Sequence, residues 1–112
     1  MITVYGIPNC DTVAKARRYL SEAGIEFDFH DFRKDGLERA DVERFLAGVG
    51  DALINRRGTT WRKLSDADKA RAESDPAGLL VDYPAIIKRP VIDTGRAITV
   101  GFTEQIKESL TV

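Results

Sequence analysis

Ile2 to Tyr5 is a short apolar run rich in β-branched residues, and Gly6 and Pro8 follow it. That is the pattern of a buried strand ending in a turn. From Asp11 the period changes. Val13, Ala16, Leu20 and Ala23 recur at helical spacing, with Lys15, Arg17, Arg18 and Glu22 elsewhere around the wheel, and Gly24 supplies the stop. Strict alternation follows, with Ile25, Phe27 and Phe29 on one face and Glu26, Asp28 and His30 on the other. This predicts a half-buried strand and places Tyr5, Phe27 and Phe29 in the core, with His30 on the polar side. Strand, helix and strand in succession predict a βαβ unit whose two strands run parallel.

Asp35-Gly36 breaks the chain. Val42, Phe45, Leu46 and Val49 then fall at i, i+3, i+4 and i+7, an amphipathic helix that ends near Gly48 and Gly50. Ala52 to Ile54 is a short apolar segment leading into the basic stretch Asn55-Arg56-Arg57-Gly58. Ser65, with Asp68 three residues later, predicts an N-cap for a polar helix that Pro76 ends. Asp75-Pro76 predicts a cap and first-turn proline for a second short helix through Leu79 and Leu80. Residues 37–82 therefore read as a helical block. Beyond Tyr83 the pattern returns to strands: Ala85 to Ile87, then Val91-Ile92, a hairpin turn at Thr94-Gly95, and Ala97 to Val100. Thr103 caps a last helix with Ile106 and Leu110 on one side. The order is βαβ, a helical block, then ββα, with 1–34 and 83–112 as the core and about 35–82 as an insertion in a single domain.

Composition narrows the function classes. The 112 residues suffice for one domain, and 43% hydrophobic content is enough to bury a core without staples. Seventeen Lys and Arg against eighteen Asp and Glu give a net charge of −1, which argues against a nucleic-acid binder held by phosphate neutralisation. A single Cys and a single His exclude an internal disulfide and make a structural metal site implausible. No apolar run is long enough for a membrane span and the N-terminus has no signal-peptide pattern, so a reducing cytoplasm is the expected location.

The one thiol sits where chemistry is favoured. Cys10 falls between a strand end and a helix start, among the polar residues Asn9, Asp11 and Thr12. The first N–H groups of a helix lack internal partners, and the dipole places positive potential there. A thiolate at that point is stabilised and the pKa falls, although Asp11 puts a like charge beside it. The turn before it faces the carboxyl edge of the sheet, where α/β domains bind ligands.

Three separated motifs carry a resemblance. Tyr5-Gly6-Ile7-Pro8-Asn9-Cys10-Asp11-Thr12, Arg57-Gly58-Thr59-Thr60-Trp61-Arg62-Lys63-Leu64 and Pro84-Ala85-Ile86-Ile87-Lys88-Arg89-Pro90 together resemble the ArsC/Spx family of arsenate-reductase-related proteins, in its YffB-like branch. The resemblance implies a thioredoxin-like α/β fold with a helical insertion, and a cis peptide before Pro90 facing the thiol. It also implies that Cys10 is the nucleophile and that Arg89 is an anion-binding arginine. A second such arginine falls in Asn55-Arg56-Arg57. The register puts Asn55 on its position, which leaves Arg56 or Arg57 to substitute. A third falls near Gly101, where this chain has none, and Asp11-Thr12-Val13 replaces the reductases' Gly-Thr-Ser. Spx regulators commonly carry a second cysteine where Val13 stands, so a dithiol switch is excluded.

From these readings the expected function is a glutathione-dependent monothiol reductase. Cys10 would attack a small-molecule or protein disulfide, or a glutathionylated substrate, and an external thiol would resolve the adduct. Asn9, Asp11, Thr12, Arg56, Arg57, Arg89 and Pro90 are the expected substrate-binding residues. No bound cofactor or metal is expected. Glutathione serves as cosubstrate, glutaredoxin is a candidate partner, and the chain is expected to act as a monomer without nucleic acid or membrane. Two alternatives stand beside it: arsenate reduction coupled to glutathione and glutaredoxin, and a non-catalytic, Spx-like binding module. Trp61 is expected to pack within the insertion, and Arg62 and Lys63 to form a solvated face.

Overall fold

The first apolar run forms β1 (Ile2–Gly6), an inner strand of a four-stranded sheet. A helix, α1 (Asp11–Glu22), leads to β2 (Phe27–Asp31), which pairs parallel with β1 from Ile2↔Phe27 to Gly6↔Asp31. The other neighbour of β1 comes from the far end of the sequence. β3 (Val91–Asp93) pairs antiparallel with it through Thr3↔Asp93, Val4↔Ile92 and Tyr5↔Val91, and β4 (Ile98–Val100) closes a hairpin on β3. The sheet order is β2-β1-β3-β4. The computed structural model describes residues 1–110. They fall into two compact units, one made of Met1–Gly36 with the segment from Arg89 onward, the other of Leu37–Lys88.

The sheet unit packs its core from α1 and the strands. Val4, Ala16, Leu20, Ile92 and Leu110 are its buried centre, and Ile2, Tyr19, Ile25, Phe27, Phe29, Phe102 and Ile106 pack around them. Burial of an aliphatic side chain of this kind contributes about 1.5–3 kcal/mol. Val13, Ala16 and Leu20 are the buried positions of α1, as their spacing predicts, while Ala23 is its exposed C-cap. Phe27 and Phe29 are only half-buried because β2 is an edge strand, and Arg17 lies over the Phe29 ring at 4.0 Å. A last helix, α6 (Glu104–Ser109), is capped by Thr103, whose hydroxyl accepts from the Ile106 N–H at 3.3 Å. The Thr94 N–H donates to Ala97 O at 3.0 Å and closes the hairpin loop, with Gly95 at φ 86.

The second unit is helical. It contains α2 (Arg39–Val49), α3 (Thr59–Lys63), α4 (Asp66–Ser74) and α5 (Pro76–Asp82). Glu38 and Asp41 form a capping box at the start of α2, and Gly50 ends it at φ 62. Ser65 and Asp75 cap α4 and α5 as their spacing predicts, accepting from the Asp68 and Gly78 N–H groups at 3.1 and 3.3 Å. Val42, Phe45, Leu53, Leu79, Leu80, Ile86 and Ile87 are fully buried or nearly so.

One local expectation changes, and with it the end of the helical block. The apolar stretch expected as a strand at Ala85 to Ile87 is a 3₁₀ turn, Pro84–Ile86, followed by one isolated antiparallel bridge, Ile54↔Ile87. Pro84 occupies the first turn position, where its fixed φ favours helical curvature and its missing N–H costs nothing. Residues through Lys88 therefore group with the helices, and the sheet unit resumes only at Arg89. The short apolar segment Ala52 to Ile54 spans the end of a 3₁₀ turn, Gly50–Leu53, and the Ile54 side of that bridge.

Candidate active site

The loop that ends β1 presents the thiol. Cys10 is the N-cap of α1, with extended backbone angles of φ −102 and ψ 123, and its carbonyl accepts the first helical bond from Ala14 N at 2.9 Å. The Cys10 N–H folds back on Ile7 O at 3.4 Å, and Phe32 N donates to Gly6 O at 2.9 Å. Both ends of the Gly6–Cys10 loop are thus fixed by main-chain bonds. Cys10 itself is partly exposed.

Sheet register delivers the arginine. Because Tyr5 faces Val91 in an antiparallel pair, the residues preceding Val91 run past the carboxyl end of β1. Pro90 and Arg89 thereby arrive beside the cysteine loop. The Arg89–Pro90 peptide is cis, and Pro90 O accepts from the Gly101 N–H at 2.9 Å. Pro90 is buried and Arg89 half-buried. The Arg89 guanidinium hydrogen-bonds the Cys10 sulfur.

Opposing influences set the ionisation of Cys10. Burial pushes its pKa up, and this is the largest single influence. Against it stand the Val13 N–H, the Arg89 hydrogen bond, the Thr12 N–H and the Arg89 charge, and the net result lies below the ordinary thiol value. Sγ makes no capping hydrogen bond of good geometry. The looser approach of the two N–H groups still favours the thiolate, because a full negative charge attracts dipoles aimed at it over a wider range of angles. A low-pKa, reachable sulfur is the form that attacks disulfides.

The other expected residues divide by location. Asn9 and Asp11 are exposed beside Cys10, and Thr12 is half-buried, with its N–H acting on the sulfur. Arg56 and Arg57 belong to the helical unit. Arg56 makes a two-pronged ion pair with Asp51 at 2.7 and 2.8 Å and lies over the Trp61 ring at 5.1 Å. Arg57 is exposed, and its N–H donates to Asn55 Oδ1 at 3.1 Å. A groove of about 410 Å³ is lined by Asp51, Asn55, Arg56, Arg57 and Lys88 with apolar flanks. Arg62 and Lys63 are exposed and Trp61 half-buried. His30 Nε2 donates to Gly36 O at 2.6 Å, which fixes the proton on that nitrogen, and its ring sits 5.0 Å from Tyr5. Sequence reasoning missed Val13 as a site residue. Its side chain reads as core, and it is its main-chain N–H that reaches the sulfur. Among the described residues no three His, Cys, Asp or Glu side chains gather as a metal site, and no helix is long and apolar enough to cross a membrane.

A βαβ–ββα sheet unit interrupted by helices, with a cysteine capping its first helix and an arginine before a cis-proline, defines an arsenate-reductase-like member of the thioredoxin-like class. The ArsC family pattern matches residues 5–109, and the chain belongs to that family. It is 44% identical over 108 residues to an uncharacterised Haemophilus influenzae protein, covering 94% of each chain. It superposes on the solved structure of a YffB protein with a TM-score of 0.89 and 36% identity over the whole of both chains. It is 26% identical to the global transcriptional regulator Spx of Streptococcus pneumoniae over 107 residues, 93% of this chain and 80% of Spx. Its fold also matches that of an arsenate reductase from Vibrio cholerae, with a TM-score of 0.69 and 14% identity over 97% of this chain and 93% of that one.

Proposed function

We propose that the protein is a glutathione-dependent monothiol reductase with Cys10 as its nucleophile. The observation that carries this reading is the pairing of the chain's only thiol with the Arg89 guanidinium at the start of α1. The Cys10 thiolate attacks the glutathione sulfur of a mixed disulfide. A Cys10–glutathione disulfide forms, and the substrate sulfur leaves as a thiolate that takes a proton from water. A second glutathione thiolate then attacks the adduct, releasing oxidised glutathione and restoring the Cys10 thiolate. The substrate is reduced by two electrons, two glutathione sulfurs end as one disulfide, and no second cysteine is required. Arg89, beside the sulfur, is the group of the sheet unit suited to a glutathione carboxylate.

Incubation with oxidised glutathione followed by intact-mass measurement tests this. The expected result is one glutathione added at Cys10, faster than at free cysteine, and none on Cys10→Ser. No adduct at Cys10 overturns the reading. Glutathione-dependent arsenite formation that Cys10→Ser abolishes, without reduction of any mixed disulfide, replaces it with arsenate reduction.

A further inference from the structure

Gly6 is buried at the last position of β1, and its φ is not among the positive values in the chain, so its backbone does not demand glycine. The reason for glycine is steric. A Cβ placed there would sit 2.7 Å from Val13 Cγ2 and 3.3 Å from Val13 Cγ1, well inside contact distance. Val13 is fully buried in the first turn of α1. Its branched side chain has one strongly preferred rotamer in a helix, so it cannot swing aside. Any crowding at this point must therefore move backbone, either the end of β1 or the first turn of α1. That backbone carries the cysteine loop on one side and the Thr12 and Val13 N–H groups on the other.

We propose that Gly6 is a positioning residue for Cys10: its missing side chain lets Val13 close against the end of β1, and this contact sets where the first-turn N–H groups stand relative to Sγ. Resting on the reading of Cys10 as the nucleophile, the proposal names what holds that nucleophile in its reactive environment. Besides the Arg89 guanidinium, the donors at the sulfur are the main-chain N–H groups of Thr12 and Val13, which no side-chain rotamer can aim. Their aim is inherited from the packing of the residue that bears them, and Gly6 is the surface against which Val13 packs.

The test is the pH dependence of Cys10 alkylation by iodoacetamide in four variants. Gly6→Ala is expected to raise the midpoint and slow alkylation at pH 7 about three- to tenfold, since each pH unit of midpoint is a factor of ten in thiolate. Gly6→Ala combined with Val13→Ala removes the clash and is expected to restore the rate to within about twofold of wild type. Leu110→Ala truncates the buried cluster of the same unit, which does not include Val13; it is expected to lower stability and leave the midpoint in place, which separates positioning from destabilisation. Should Gly6→Ala not fold, Val13→Ile crowds the same contact from the helix side and is expected to raise the midpoint in the same direction. A folded crowding variant with the wild-type midpoint overturns the proposal, as does a double variant that keeps the raised one. A wild-type midpoint at or above the free-thiol value instead overturns the reductase reading itself, so the two failures are distinct.

Discussion

Replacing Arg89 with Gln removes the one cationic side chain acting on Cys10 while keeping a polar group of similar reach. A hydrogen bond to a charged partner contributes about 1.5–3 kcal/mol, which is about one to two pKa units at 1.36 kcal/mol per unit. The sulfur is partly exposed, and solvent screening trims the shift to about one unit. Arg89→Gln is thus expected to raise the alkylation midpoint by about one pH unit and to cut the rate at neutral pH about tenfold. Stability supplies an independent check. The folded pKa of Cys10 lies below its unfolded value, so ionisation adds stability that is complete above about pH 8.5 and is lost as pH falls through the folded pKa. Arg89→Gln should then destabilise the protein more at about pH 9 than at about pH 5, as read by urea unfolding. An unchanged midpoint, or equal losses at the two pH values, refutes the assignment of Arg89 as the activating cation.

Two further predictions concern the helical unit. Arg56→Gln breaks the two-pronged pair with Asp51 and the contact with the Trp61 ring, and is expected to lower the melting temperature slightly, as loss of an exposed pair does. An unchanged melting curve refutes that role. Asp75 is held below the usual carboxylate range first by Arg39 at 2.7 Å and then by the Gly78 N–H. A depressed carboxylate adds stability above its unfolded pKa and loses it as pH falls through the folded one. Asp75→Asn should therefore melt below wild type at pH 7 and converge with it in acid; parallel curves across that range count against the ion pair.

The βαβ opening was legible because its hydrophobic period changes twice within thirty residues, and each change has a local cause at Gly6-Pro8 or Gly24-Ile25. Caps were legible for the same reason: Ser65, Asp75 and Thr103 each satisfy a donor three residues ahead. The stretch at Ala85 to Ile87 was not, because a short apolar run fits a strand and a buried turn equally well, and only tertiary pairing with Ile54 decides. α3, at five residues, is too short to show a period. At the site, Cys10 was legible from its place between strand and helix. Arg89 was legible only through resemblance, because its approach to Cys10 is set by strand register rather than by any nearby pattern. The commitment of Arg56 to Asp51, and the fit of Gly6 against Val13, depend on side-chain geometry that no spacing rule encodes.

The sheet unit draws its central pair of strands from opposite ends of the chain, β1 at the start and β3 near the finish. During synthesis the sulfur leaves the ribosome long before its guanidinium does. Until β3 is made and docked, Cys10 lacks the hydrogen bond and charge of Arg89 that lower its pKa. A product truncated before Arg89 would carry the thiol without that cation. The full lowering of the thiol pKa therefore needs both strands of that pair in place.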